Sequence, residues 1–316
     1  MKITEYSPRE FDKLETAWKT LEKGVENEIT FYTNEMHTAL SKQQELIDYA
    51  VTALKEGQFN VYYQPKVDFN SGTLYGAEAL VRWIHPKYGV IPPNDFIPLF
   101  EKDGFIRYID RYVFEETCKF IRELTDKDIN PVPISVNMSR ADVNYEYCLP
   151  EIRRIIKQYN IDPKYIHIEI TERAYSENPT MLLKLANLMT KMGLTLELDD
   201  YGSGASSEKT LMELPIGVLK LDKDLVSGSE FNHKNSIILS SITSLADIMG
   251  IEIIAEGIET NEMAERMMSF NCHLMQGYHF SKPVPQSDFL NLITNNRYSF
   301  DKTSTPRSTS WIKTNQ

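Results

Sequence analysis

Apolar positions change their period near residue 60, and that change sets the organisation of the chain. Upstream, Glu35 to Leu54 places Leu40, Ile47, Ala50, Val51 and Leu54 at helical spacing inside an otherwise polar stretch. From Val61 the texture becomes β-rich. VYYQPKV, the turn DFNSG and the run TLYGAEALVRW predict an antiparallel hairpin. Helical patterns follow over Pro93–Lys102 and Ile106–Leu124. After them, short apolar strands alternate with helices. The strands are Val132–Met138, Tyr165–Ile170, Thr195–Asp199, Val218–Leu221, Ile251–Ala255 and Leu274–Tyr278. The helices are Pro150–Tyr159, Pro179–Met192, Asn235–Met249, Thr260–Phe270 and Gln286–Ile293, with Thr260 as an N-cap and Gly193 just past a C-terminus.

Eight strands, six of them alternating with helices, predict an α/β domain of the (β/α)-barrel type, irregular in its opening hairpin. A doubly wound open sheet is the alternative, but no GxGxxG follows an early strand. The divisions expected are a helical N-terminal extension over 1–44, a barrel domain over 45–297, and a polar Ser/Thr-rich tail over 298–316.

Composition narrows the function classes. The 316 residues carry a net charge of −11, which argues against broad binding of nucleic-acid polymers. Nothing approaches the run of about 18 apolar residues that a membrane span requires. The first residues lack the pattern of a secretory signal. Cys118, Cys148 and Cys272 are widely spaced and odd in number, which suits a reducing cytoplasm and no disulfide framework.

Candidate chemistry collects at the strand ends, where barrels of this kind carry their reactive groups. LTLELDDYGSG ends a strand in the adjacent carboxylates Asp199 and Asp200. Like charges so close raise each other's pKa unless a cation offsets them. Glu78 with Arg82, Asn137, Glu169 with Glu172, Lys220 with Asp222, Glu256 with Glu259, and Gln276 occupy the corresponding positions elsewhere. Any one of these acids alone is better explained as a cap or a solvated loop residue. Lys220 is harder to dismiss, because it lies between Leu219 and Leu221 in a strand. Together, five carboxylates (Glu78, Glu169, Asp199, Asp200, Glu256) would face one lysine and one arginine, a costly arrangement without divalent cations. The donors are all oxygen, which favours Mg²⁺ or Mn²⁺ over zinc. The adjacent aspartates suit two metals about 3.5–4 Å apart. Residue chemistry alone therefore reaches metal-dependent phosphoester chemistry and stops there. None of the six histidines has metal-ligand spacing, and each is read as a surface or packing residue.

AEALVRW, VNMS, IEITE, LDDYGSG, LKLD, AEGIE and QGYHFSKP, in that order, resemble the EAL-domain phosphodiesterases of bacterial cyclic di-GMP signalling. The resemblance covers roughly residues 45 to 295. It implies a modified TIM (β/α)8 barrel with one antiparallel strand, and hydrolysis of 3′,5′-cyclic di-GMP to linear pGpG by a water that two metal ions activate. It also implies roles. Glu78, Asn137, Glu169, Asp199, Asp200 and Glu256 correspond to the ligands of two Mg²⁺ or Mn²⁺ ions. Lys220, Glu256 and Gln276 are expected to be catalytic. Gln64, Glu78, Leu80, Arg82, Asp222, Glu259 and Gln276 correspond to positions around the substrate. Glu172 corresponds to the anchor of the loop behind the aspartate pair. A homodimer is implied as well. Two other readings remain: a non-catalytic cyclic di-GMP receptor of the same fold, and a barrel hydrolase acting on another phosphodiester.

This chain departs from the family pattern in that loop. The usual DDFGTGYSSL reads DDYGSGASSE, with Tyr201, Ser203, Ala205 and Glu208 at the changed positions. The extension weakly resembles the closing helix of a diguanylate cyclase domain, without a GGDEF signature.

Overall fold

The computed structural model describes Lys13 and residues 33–143, 145–202, 208–227 and 233–295. Most of the predicted N-terminal extension, the centre of the loop from Tyr201 to Glu208 and the polar tail lie outside the described residues. The chain divides into two compact units, residues 1–59 with 83–105, and residues 60–82 with 106–316.

In the smaller unit, the helix Asn34–Lys55 starts at Thr33, whose Oγ1 accepts from Met36 N at 3.3 Å. Leu46, Ala50 and Ala53 recur at helical spacing and are buried. This helix packs against the helix Pro93–Asp103, which turns Phe96 and Phe100 inward. Those rings join Phe59 and Trp83, whose centroids are 4.9 Å apart. A short strand over Gly89–Ile91 pairs antiparallel with Trp83–His85. It was not anticipated, because three residues show no usable alternation. His85 shapes the turn between them, its Nδ1 accepting from Lys87 N at 3.0 Å and Tyr88 N at 3.3 Å.

The larger unit holds the barrel. Its strands are β1 (Phe59–Asp68), β2 (Thr73–His85), β4 (Ile134–Asn137), β5 (Ile166–Thr171), β6 (Thr195–Tyr201), β7 (Val218–Leu221), β8 (Glu252–Ala255) and β9 (Leu274–Gln276); Gly89–Ile91 is β3 and Val284–Pro285 is β10. Neighbours run β1-β9-β8-β7-β6-β5-β4-β2, and β1 pairs again with β2, so eight strands close on themselves. Pairing is parallel from β2 through β9 and antiparallel between β1 and β9. One antiparallel strand is the irregularity that the opening hairpin announced.

Helices cover the outside, among them Ile106–Asp126, Tyr145–Tyr159, Pro179–Lys191, His233–Met249 and Asn261–Ser269. The expected signals sit at their ends. Thr260 Oγ1 accepts from Met263 N at 3.3 Å, and Gly193 follows its helix with φ +89°. The short helices Glu172–Glu177, Glu208–Glu213 and Lys223–Ser227 were missed. Five or six residues are too few to display a 3.6-residue period.

Inside the barrel, Val218, Ile254 and Leu274 form an apolar floor with Tyr75 packed against it. Two residues further on lie Lys220 in β7, Glu256 just past the end of β8 and Gln276 in β9. Strand alternation returns those side chains to the interior, one level nearer the C-terminal ends.

Candidate active site

Register carries the site residues to one end. Glu78 pairs with Ser135, Asn137 with Glu169, and Thr171 with Asp199, so their strands expose successive polar side chains to a common interior. β6 does not stop at the aspartate pair. It continues to Tyr201 through a bulge, with Leu198 opposite Leu219 and Tyr201 opposite Leu221. In a regular strand Asp199 and Asp200 would point to opposite faces. The extra residue and the left-handed backbone of Asp200 (φ +58°) break that alternation. Asp199 Oδ1 accepts from Asp200 N at 2.9 Å, which fixes the bulge from within.

The carboxylates converge on Lys220. Its Nζ lies 2.8 Å from Glu256, 3.0 Å from Glu169, 3.1 Å from Asp199 and 3.6 Å from Glu78. Lys220 is 1% exposed, so the strand-flanked lysine does point inward. Glu78 is held by both oxygens: Asn137 Nδ2 donates to Oε1 at 3.0 Å and Gln276 Nε2 to Oε2 at 2.7 Å. Gln276 Nε2 also reaches Gln64 Oε1 at 3.2 Å, and Gln64 donates to the Ser281 carbonyl at 3.3 Å. Behind Gln276, a Cβ on Gly277 would lie 2.1 Å from the Ile258 carbonyl oxygen. Only glycine lets these two loops approach so closely.

Protonation follows the enclosure. Burial pushes Glu256 up to about 8, against the attraction of Lys220. Burial likewise raises Glu78, with the Glu169 charge adding to it, and raises Asp199, with Lys220 opposing. Asp200, at the exposed rim, is raised by partial burial and by the nearby Asp222 charge. Glu169 goes the other way. Burial would raise it, but Lys220 and Lys66 together hold it well below the usual carboxylate range.

Lys66 is a buried charged neighbour of the site that sequence reasoning missed. Its Nζ lies 3.0 Å from Glu169, 2.6 Å from Glu197 and 2.6 Å from Ser135 Oγ. Glu197 Oε1 meets His167 Nδ1 at 2.6 Å, so His167 is a buried packing residue with one strong partner. The signal was available. Glu197 lies between Leu196 and Leu198, and Lys66 between Pro65 and Val67, the pattern that singled out Lys220.

Other expected positions are spread around the rim. Leu80 and Arg82 follow Glu78 at every second position of β2, on the same face, and are half-buried. The Arg82 guanidinium lies 5.8 Å from the Tyr62 ring centre and donates to the Val81 carbonyl. Asp222 Oδ1 accepts from Asp224 N at 2.8 Å, starting a short helix. Glu172 is buried in the first turn after β5, while the centre of the loop it would anchor lies outside the described residues. Glu259 is exposed, and none of the described hydrogen bonds or ion pairs ties it to the others.

Among the described residues, no three acidic, histidine or cysteine side chains already stand in a metal-holding arrangement; the acids gather about Lys220 instead. Their chemistry nonetheless fits hard divalent cations. Three buried carboxylates (Glu78, Glu169, Glu197), the partly exposed Asp199 and Glu256 and the rim carboxylate Asp200 face two ammonium groups, leaving an excess of negative charge when all are ionised. Glu169 Oε2 and Gln276 Oε1 are buried without a hydrogen-bond partner. Oε2 is within ion-pair distance of Lys220 but at an angle that makes no hydrogen bond. Orphaned oxygens amid excess negative charge are what a cation would satisfy.

Known proteins resemble this chain in sequence and in fold. The chain is 31% identical over 272 residues to the oxygen sensor protein DosP of Escherichia coli, covering 86% of this chain and 34% of that protein. It is 31% identical over 240 residues to the cyclic di-GMP phosphodiesterase RocR of Pseudomonas aeruginosa, covering 76% of this chain and 61% of that one. It therefore spans less than two thirds of the length of either relative. Among solved structures, the PaMucR phosphodiesterase in complex with c-di-GMP superposes with a TM-score of 0.73 at 30% identity, over 78% of this chain and 99% of that one. The EAL domain family matches residues 48–283, three quarters of the chain, and this chain belongs to that family.

Proposed function

We propose that this chain is a cyclic di-GMP phosphodiesterase that hydrolyses the 3′,5′-cyclic dinucleotide to linear pGpG. The observation that carries the reading is the convergence of Glu78, Glu169, Asp199 and Glu256 on one end of an EAL-family barrel, with every expected ligand position filled. Glu78, Asn137, Glu169, Asp199, Asp200 and Glu256 would hold two divalent cations, Mg²⁺ or Mn²⁺. When bound, such ions lower the pKa of water and offset the charge that develops on phosphoryl oxygens.

The residues of the chain do the rest. Lys220 is a fixed cation that supplies positive charge beside the reacting phosphate and offsets the repulsion among the carboxylates gathered on it. Gln276, braced between Gln64 and Glu78, orients the Glu78 carboxylate and offers its free Oε1 to the site. Arg82 and Leu80 at the rim would contact the dinucleotide, Arg82 supplying the cation that an anionic ligand needs from a chain of net charge −11. Asp222 and Glu259 are assigned to the periphery of the substrate, and Glu172 to anchoring the loop after Asp200.

We also propose a homodimer. The helix His233–Met249 leaves Ile237 and Ile248 exposed on one face, with Ile248 at 82%, and a second copy would cover them. No helix among the described residues is long and apolar enough to cross a membrane. The three thiols are free, which suits a cytoplasmic location.

The test is incubation of cyclic di-GMP with the folded protein and Mg²⁺ or Mn²⁺, with products resolved by chromatography. Accumulation of pGpG supports the reading. Tight binding of the dinucleotide without turnover would replace it with a receptor function on the same fold.

A further inference from the structure

Below the mouth carboxylates lies a second charged layer for which the proposed chemistry has no use. Lys66 on β1 is 1% exposed and Glu197 on β6 is 0% exposed. Their pair closes at 2.6 Å, and Ser135 and His167 complete it from β4 and β5. Barrel interiors are usually filled by branched apolar side chains, and this chain does that at its own floor with Val218, Ile254 and Leu274. A buried ion pair is no better for stability than apolar residues of the same volume, and is often worse. Its place in the interior therefore calls for another account.

The contact with Glu169 supplies one. Both Lys66 Nζ and Ser135 Oγ bind the same carboxylate oxygen, Oε1. Held there from below, Glu169 has one oxygen left for the mouth. That atom, Oε2, is buried, makes no hydrogen bond and faces the Lys220 ammonium at 3.0 Å. We propose that Lys66, braced by Ser135, Glu197 and His167, is a positioning residue that clamps Glu169 Oε1 so that Oε2 is presented to a cation in one orientation. The inference rests on the two-metal reading of the site. Lys66 touches neither substrate nor cation; it acts through Glu169, as partners behind metal ligands do elsewhere.

The experiment must separate positioning from charge. Lys66→Met alone would leave Glu169 with Lys220 and Glu197 with His167 as their remaining partners, and would add net negative charge that attracts cations. The double variant Lys66→Met/Glu197→Gln removes one charge of each sign and dissolves the clamp. Isothermal titration of the full chain with Mn²⁺, without nucleotide, reads the affinity. Circular dichroism at the same temperature checks that the protein is folded. We expect Mn²⁺ affinity to fall about 10- to 100-fold in the double variant, with a melting temperature unchanged or raised. Wild-type affinity in the folded double variant would reduce Lys66 to a structural role and overturn the inference. Should the double variant fail to fold, Ser135→Ala decides. It removes only the hydroxyl bracing Glu169, and a loss smaller than the scatter of the wild-type titrations would equally overturn the inference. If the wild-type protein takes up no Mn²⁺ at all, the two-metal reading fails first and takes this inference with it. That result is distinct from a wild-type site that binds and a variant that binds equally.

Discussion

The two ends of the barrel interior are built by the same strands on opposite rules. β7, β8 and β9 contribute Val218, Ile254 and Leu274 to the floor and, two residues later, bring Lys220, Glu256 (just past the end of β8) and Gln276 to the mouth. The floor buries apolar area and leaves nothing unpaired. The mouth encloses like charges, orphans Glu169 Oε2 and Gln276 Oε1, and pushes the pKa values of Glu78, Asp199 and Glu256 up. A single step along a strand thus separates residues that hold the fold from residues that strain it. In a family barrel, sites that strain the fold are where chemistry is expected. The comparison predicts that mutations at the two ends have opposite signatures.

The largest effect is expected at the mouth. Glu78→Ala or Asp199→Asn should reduce pGpG formation to background and abolish calorimetric Mn²⁺ uptake. The melting temperature of the metal-free protein should hold or rise, since each removes a carboxylate from a crowd. Wild-type turnover in either variant would show that the mouth is not the metal site. Lys220→Ala comes next. We expect kcat to fall by at least about 100-fold, within the range of groups acting on the reacting centre, with a smaller change in KM. An unchanged kcat with weakened binding would make Lys220 a substrate contact instead.

At the floor the signature reverses. Ile254→Ala removes a fully buried side chain from the Val218–Leu274 cluster and should cost about 2–5 kcal/mol in chemical denaturation. Turnover per folded molecule should stay at the wild-type value. A fall in kcat without a fall in stability would mean that the floor shapes the mouth, and the division between the two ends would not hold.

How much of this was legible in the sequence depended on period and on reach. Strands of four to seven residues with clear alternation were found with their bounds nearly right, as in β7, where the predicted and observed limits are both Val218 and Leu221. The three-residue β3 and the helices of five or six residues carry no period and were not. The mouth set was legible because family motifs and strand ends coincide there, and Glu78, Asn137, Glu169, Asp199, Glu256 and Gln276 do converge. The bulge at Asp199–Asp200 was not. It depends on how β6 pairs with β7, a relation that no local pattern records. The Lys66–Glu197 layer is intermediate. Each residue shows the mark of an inward charge, but their meeting is fixed by closure between β1 and distant strands, 131 residues apart in sequence.

The smallest effect tests the enclosure itself through pH. Glu256 in the folded protein sits at about 8, against an ordinary value of 4.5. A carboxyl raised in this way contributes stability that is complete below 4.5 and is lost as pH rises through about 8. Glu78 and Asp199 are raised as well and act in the same direction. Glu169, depressed by its two lysines, acts oppositely: its contribution is present above 4.5 and is lost only toward strong acid. Between pH 6 and 8.5 the raised group dominates, so the melting temperature of the protein in chelator should decline by several degrees. Cations bind the ionised set, so Mg²⁺ should raise the melting temperature more at pH 8.5 than at pH 6. Ile254→Ala contains no titrating group and should lower the whole curve without changing its slope. Glu256→Gln should flatten it. A metal-free curve that is already flat in the wild-type protein would mean that the mouth carboxylates are better solvated than their burial implies, and the contrast between the two ends would shrink accordingly.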